Sequence, residues 1–123
     1  MDTLEQTDCE ELFSTPLFRF RLPEADAFNR DLLQEGARLR KQSEGVAKSN
    51  YGAWHSSGDL FESTTPCIMQ LKTVAEAATY IATQNVSPDL DLATQKLDLF
   101  GWMNSTPSGG FNAPHTHPGA HWS

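Results

Sequence analysis

Three of the four histidines in this 123-residue chain lie close together near the C-terminus, at His115, His117 and His121. A β-strand alternates its side chains between two faces, so a strand here would present His115 and His117 on the same side. Two imidazoles on one side can bind one transition-metal ion, as they do in zinc sites at ~2.0–2.1 Å per bond. The spacing therefore predicts a fold that ends in a strand, with a metal site whose ligands are His115 and His117.

The composition indicates one small globular domain that does not bind nucleic acid. Seven Phe, three Trp and two Tyr supply bulky core side chains. The net charge is −7 and the nine basic residues form no stripe, which argues against a nucleic-acid surface. No apolar run approaches the ~20 residues that span a bilayer, and no signal peptide is visible. We expect a cytoplasmic protein without a membrane partner, with reduced thiols at Cys9 and Cys67, although two cysteines leave a disulfide open.

The sequence pattern predicts two strands and two helices in the first two thirds of the chain, and the second strand is a short one within 49–61 that is followed by a turn at Ser57-Gly58. Residues 1–11 are polar and acidic and are expected to form a flexible tail, which leaves 12–123 as the single domain. Alternation toward the end of 12–22 predicts a half-buried strand. A first helix is predicted over 23–45. A second is predicted over 65–85, where Thr-Pro at its start supplies a cap and a first helical residue.

Two more strands are predicted on either side of a turn. Residues 95–104 carry apolar side chains on both faces, which predicts a strand covered on both sides. The Ser-Thr-Pro-Ser-Gly-Gly run at 105–110 is a strong turn signal. A strand over 111–117 should then run back antiparallel, and this hairpin would bring Trp102 and Asn104 near the histidines.

The residues alone leave three explanations of the histidine motif open. The first is a proline-rich surface tail that contains histidine by chance. The second is a cupin, in which a glycine is followed after five residues by His-x-His and then by a glutamate. Gly109 stands at that distance from His115, and His121 stands where the glutamate is expected. The third is a 2-oxoglutarate-dependent Fe(II) oxygenase, in which a His-x-Asp pair joins a distant histidine, with His117 at the aspartate position.

Longer stretches resemble the 2OG-Fe(II) oxygenase family found mainly in bacteria and phage. The Trp-x-Asn that begins at Trp102 and the Asn-x-x-His-x-His-Pro that begins at Asn112 are similar to that family's pattern. The Phe-Ser-Thr-Pro-Leu-Phe from Phe13 and the Trp-His-Ser-Ser from Trp54 agree with it. The resemblance therefore covers most of 12–123.

This resemblance implies an α+β fold, with N-terminal helices packed on a partial double-stranded β-helix of the jelly-roll or cupin-like type. It implies Fe(II) and 2-oxoglutarate as cofactors, His115 as the first iron ligand, and His117 at the second ligand position. The implied activity is oxidation of an unidentified small-molecule or protein substrate. Further candidates, which would line the pocket or support the ligands, are Asn112, Trp102, Asn104 and His121.

The same resemblance implies that the chain holds only the N-terminal part of such an enzyme. The family's distal histidine and its 2-oxoglutarate-binding arginine have no counterpart here, so we expect no catalytic residues and no activity from this chain alone. The competing hypothesis is a non-catalytic, cupin-like metal-binding or protein-interaction module. Exposed strand edges in a partial barrel would favour self-association.

Overall fold

The computed structural model describes residue 8 and residues 12–123, and its architecture is α+β. Two helices, α1 (Asp26–Gln42) and α2 (Pro66–Val86), accompany four two-residue strands: β1 (Asn50–Tyr51), β2 (Trp54–His55), β3 (Asn104–Ser105) and β4 (Phe111–Asn112). Short 3₁₀ turns occupy Leu60–Glu62 and Leu92–Thr94. The described strands form two small antiparallel sheets and no closed barrel. Except for Asp8, the predicted N-terminal tail lies outside the described residues, as does Cys9.

Helix α1 lies inside the predicted 23–45 range and is shorter at both ends. Glu24 has a φ of 51°, in the left-handed region, so a continuous helix cannot begin at Pro23 and starts at Asp26 instead. The helix ends at Gln42, and the backbone of Ser43 is extended. Basic side chains in the last turn suit the negative end of the helix dipole.

Helix α2 confirms the predicted start and ends within one residue of the predicted end. Thr65 precedes Pro66, whose missing N–H costs nothing at the first helical position. The helix ends at Val86, where the Ser87 N–H donates to the Thr83 carbonyl at 2.8 Å. No helix among the described residues is both long enough and apolar enough to cross a membrane.

The core lies where the two helices meet the first 3₁₀ turn. Ile68 is completely buried, and Phe28, Leu60 and Cys67 pack with it. The partly buried side chains around this cluster are Leu32, Leu39, Phe61, Leu71 and Met103. Burying one large aliphatic side chain is worth about 1.5–3 kcal/mol, so this small cluster dominates the stability of the helical layer.

One extended segment, 49–56, pairs with two later segments in turn. β1 pairs with β4, with Asn50 opposite Asn112, and β2 pairs with β3, with His55 opposite Asn104. Backbone hydrogen bonds continue both ladders: the Ala113 N–H donates to Ser49 at 2.7 Å and the Ser56 N–H to Met103 at 2.9 Å. Two residues separate β1 from β2, whereas five separate β3 from β4. Four of these five residues, 106–109, are exposed, and Gly110 lies against the Gly52 backbone.

The predicted hairpin is therefore wrong. The segments before and after the glycine-rich turn do not pair with each other but lie one after the other along 49–56. Of the residues in the predicted 95–104 strand, only Asn104 is in a strand. Leu97 is 46% exposed and Phe100 is 81% exposed. The described residues therefore do not cover both faces of this segment, although the sequence predicted such cover. The predicted 111–117 strand ends at Asn112.

The predicted strand over 12–22 belongs to neither described sheet. Its alternation does bring Phe18 and Phe20 together, with ring centroids 6.4 Å apart. Phe20 is nevertheless 52% exposed, because no described strand pairs with this segment and covers that face. The Phe18 ring instead meets the edge of Trp122, at 5.9 Å between centroids.

A buried carboxylate connects α1 with the start of α2. Glu35 accepts two hydrogen bonds from Arg38, at 2.7 Å from Nε and 2.6 Å from Nη2. It accepts a third, at 3.3 Å, from the Thr65 hydroxyl. The hydrogen bonds from Arg38 hold the pKa of Glu35 below its ordinary value of 4.5, although burial opposes them.

We expect this carboxylate to make stability depend on pH in the acid range. A folded-state pKa below the unfolded value gives stabilisation that is complete above the unfolded pKa and is lost as pH falls through the folded pKa. Glu35→Gln should therefore flatten the decline in stability below pH 4.5. Urea midpoints measured between about pH 3 and pH 7 test this, with the exposed Glu44→Gln as the control. Parallel curves for wild type and Glu35→Gln would contradict it.

Candidate metal site

The two histidines predicted as ligands bring their ring nitrogens together. Nε2 of His115 lies 3.0 Å from Nε2 of His117, and the ring centroids are 4.9 Å apart. Both side chains are exposed, so an ion in solution can reach them. The rings converge although neither residue is in a strand, because β4 already ends at Asn112.

The segment that carries the histidines is fixed at both ends. At its start, the Ala113 N–H donates to the Ser49 carbonyl at 2.7 Å and extends the β1–β4 ladder. At its end, Trp122 Nε1 donates to the Thr83 hydroxyl of α2 at 2.8 Å. The Ala120 N–H also donates to the His117 carbonyl at 3.1 Å and closes a turn. These contacts give an exposed loop a defined path.

The backbone beside β4 sets the tautomer of His115. Its Nδ1 lies 2.8 Å from the Ala113 carbonyl oxygen, which can only accept, so Nδ1 carries the proton. In the neutral ring, Nε2 then has a free lone pair. Metal-ligating histidines commonly donate their other N–H to a backbone carbonyl in this way. His115 is thus oriented as a ligand before any ion binds.

The spacing of the two nitrogens fits two ligands of one ion. Nitrogens bound at about 2.1 Å lie about 3.0 Å apart when the two bonds meet at a right angle, and about 3.4 Å apart at the tetrahedral angle. The observed 3.0 Å matches neighbouring positions of an octahedron. Without an ion, this distance corresponds to a hydrogen bond from His117 Nε2 to the His115 lone pair, so His117 must change tautomer to bind metal.

The described residues supply two donors to this site. No group of three His, Cys, Asp or Glu side chains that could hold an ion occurs among them. His121, which stands at the cupin carboxylate position, instead packs against the edge of Trp122 with centroids 5.5 Å apart. Its predicted role beside the ligands stays a prediction.

Trp102 lies beside the site, as the sequence predicts, although no hairpin brings it there. Its ring meets His117 almost perpendicularly, at 86° and 5.4 Å between centroids. On another side it stacks on His55, at 16° and 5.2 Å. Only 6% of the His55 surface is exposed. The sequence assigned no site role to His55, because no second histidine lies near it in the chain to form a pair of metal ligands. Its position becomes visible only when β2 is paired with β3.

The two asparagines predicted near the site lie in the strands. Asn104 stands opposite His55 in the β2–β3 ladder, and Asn112 stands opposite Asn50 in the β1–β4 ladder. Both side chains are exposed. Their predicted support of the ligands stays a prediction.

A groove along the described residues has no histidine in its lining. It has a volume of about 720 Å³ and lies between α1 and the β2–β3 pair. Its walls are mainly apolar and include Leu32, Leu33, Trp54 and Met103. We assign the site to the histidines because convergent ring nitrogens have a defined chemistry, whereas this groove presents mostly hydrocarbon.

Comparisons with known proteins assign no relative to this chain. No family model, no curated protein and no solved structure matches it. The histidine pair and the sequence pattern around it are therefore the features that bear on function.

Proposed function

We propose that this chain is the metal-binding portion of an Fe(II)- and 2-oxoglutarate-dependent oxygenase. One observation carries the proposal: the Nε2 atoms of His115 and His117 lie 3.0 Å apart, the spacing of two ligands on one ion. The hydrogen bond from His115 Nδ1 to the Ala113 carbonyl adds support, because it keeps the proton on Nδ1 and the lone pair on Nε2, the atom that would bind the ion. The resemblance of the Trp-x-Asn and Asn-x-x-His-x-His-Pro pattern favours iron and 2-oxoglutarate among the possible chemistries.

In this proposal His115 and His117 hold the ion through Nε2. The bound iron would supply the chemistry that couples O₂ and 2-oxoglutarate to the oxidation of a substrate. The chain's own residues have simpler tasks. Ala113 keeps the proton of His115 on Nδ1, and Trp102 shields one side of the His117 ring from water. Because the described residues bring only two donors to this site, we expect the ion to be weakly held and exchangeable.

We further propose that the two short ladders are the first rungs of a double-stranded β-helix. Both ladders are antiparallel, and both use the single segment 49–56 as their template. The two helices contribute a separate core, as a supporting layer outside such a barrel would. A jelly roll has eight strands, so the described strands would form its beginning.

Metal titration of the full chain tests the site. We expect calorimetry with Co(II), or with Fe(II) under anaerobic conditions, to show one ion per chain. His115→Ala and His117→Ala should each weaken binding at least about tenfold, which corresponds to ~1.4 kcal/mol. His121→Ala is the matched control, since its ring packs on Trp122 instead of on the pair. Equal affinity in all four proteins would contradict the proposed site.

A second candidate function is a non-catalytic metal-binding or protein-interaction module. It is favoured by the described part of the chain, which brings only two donors to the site, and by the exposed, stacked rings of Tyr51 and Phe111, whose centroids are 5.0 Å apart. Light scattering at tens of micromolar protein separates the two functions. The oxygenase proposal, in which the described strands are part of a larger barrel, predicts self-association through exposed strand edges. A monomer at this concentration supports a self-sufficient module.

A further inference from the structure

We infer that Trp102, held in place by the buried His55, is a positioning residue that fixes the His117 ring for metal binding. This inference rests on the proposed metal site and adds to it a reason why an exposed histidine has a defined orientation. It follows from two ring contacts in series, His55 with Trp102 and Trp102 with His117, which lead from a buried ring to an exposed one.

The first contact point, His55, is held firmly. Its ring Nδ1 donates to the Ser56 carbonyl at 2.5 Å, and its own carbonyl accepts the Val46 N–H at 2.8 Å. The residue also sits in the β2–β3 ladder opposite Asn104. With its backbone and its ring both hydrogen-bonded and 6% of its surface exposed, His55 cannot turn without opening the structure around it.

The second point, Trp102, has a fixed backbone on both sides. The carbonyl of Gly101 accepts the Leu60 N–H at 3.2 Å, and the Met103 N–H donates to the Ser56 hydroxyl at 2.9 Å. The indole then stacks on the His55 ring, with the two planes only 16° apart. The position and the plane of the indole are therefore determined by buried or hydrogen-bonded neighbours.

The third point is His117, which lies outside the strands. Its ring contacts are the edge-on packing with Trp102 and the approach to His115. Perpendicular aromatic pairs at this centroid distance are a favoured arrangement. Because Trp102 limits the rotation of the imidazole, less rotational freedom is lost when an ion binds. The His55–Trp102 stack thus preorganises one of the two ligands.

Copper(II) as the probe tests this inference in the full chain. Electron paramagnetic resonance counts the imidazole nitrogens bound to copper, and a residue with only a structural role would not change that count. We expect two nitrogens in the wild type and in Trp102→Phe, which keeps an aromatic edge. We expect one nitrogen and an affinity lowered about tenfold or more in Trp102→Leu, in line with the loss of other residues that support metal ligands. His55→Leu should change both measurements in the same direction.

Fluorescence gives a second measurement that needs no destabilised variant. Copper bound at His117 lies close to the indole, so it should quench tryptophan emission up to one equivalent in the wild type. That step should be largely lost in Trp102→Phe, which retains two of the three tryptophans. Two bound nitrogens and unchanged affinity in a folded Trp102→Leu, or equal quenching in Trp102→Phe, would overturn the positioning role alone. A wild type without the two-nitrogen signal would overturn the metal site itself, and this inference with it.

Discussion

Replacing Ile68 by Ala is expected to lower the free energy of unfolding by about 3 kcal/mol. Ile68 is the one large side chain among the described residues with no exposed surface, and it packs against Phe28, Leu60 and Cys67. Its neighbours come from α1, α2 and the first 3₁₀ turn, so no single element can move in to fill the space. Because small domains are stable by only about 5–15 kcal/mol, this change removes a large share of the total.

Urea denaturation followed by far-UV circular dichroism measures this loss. Ile81→Ala on the same helix is the matched control, since that side chain is 49% exposed and should cost much less. Ile68→Val should fall between Ile68→Ala and the wild type, at roughly 1 kcal/mol. Similar midpoints for Ile68→Ala and Ile81→Ala would show that the helical layer does not depend on this cluster.

The second large effect is expected from Gly45→Ala. Gly45 has a φ of +80°, where a residue with a Cβ costs roughly 1–2 kcal/mol. A Cβ there would also lie 2.7 Å from the His55 carbonyl oxygen and 2.8 Å from the Trp54 ring. The chain would have to move away, which strains the 2.9 Å hydrogen bond from Trp54 Nε1 to the Ser43 carbonyl. We expect a total loss of about 2–4 kcal/mol.

Gly58→Ala provides the control for this prediction, because no atom lies within 4 Å of a Cβ at that position. Tryptophan fluorescence during urea denaturation should report a clear loss of stability for Gly45→Ala and almost none for Gly58→Ala. Co(II) binding should weaken in Gly45→Ala as well, since its clash falls on the residue that supports Trp102. Equal stability of the two glycine variants would show that the turn after α1 adapts easily.

The helices could be predicted from sequence because their determinants are local. Helix α2 begins at the predicted Thr65-Pro66 pair, although the Thr65 hydroxyl donates to Glu35 and caps no helical N–H. Of the predicted apolar stripe, Ile68 and Ala82 are buried, whereas Ile81 is 49% exposed. The short strand predicted within 49–61 is found as β1 and β2. The extents and partners of the other strands could not be assigned correctly, because pairing depends on a partner about fifty residues away or more. The alternation around Leu97 and Phe100 has the pattern of a buried strand, yet only the tertiary structure decides whether anything covers it.

The approach of the His115 and His117 rings was predictable from their spacing, whereas the contacts that produce it were not, and their role as metal ligands stays a prediction. The spacing of His115 and His117 correctly indicates that their rings meet. The reason differs from the predicted strand, because the Ala113 carbonyl and the Trp102 ring orient the two imidazoles. No local pattern points to His55, since its contact with Trp102 joins residues far apart in sequence. Iron, 2-oxoglutarate and the jelly roll stay predictions.

The exposed loop between β3 and β4 has a practical consequence for engineering. The two ladders are attached separately to 49–56, so residues 106–109 do not determine how either pair of strands is aligned. These residues are exposed, whereas Gly110 lies against the Gly52 backbone. The histidine segment has its own anchorage through Ala113. Residues 106–109 are therefore a suitable point for inserting a fluorescent label or an affinity peptide without replacing His115 or His117.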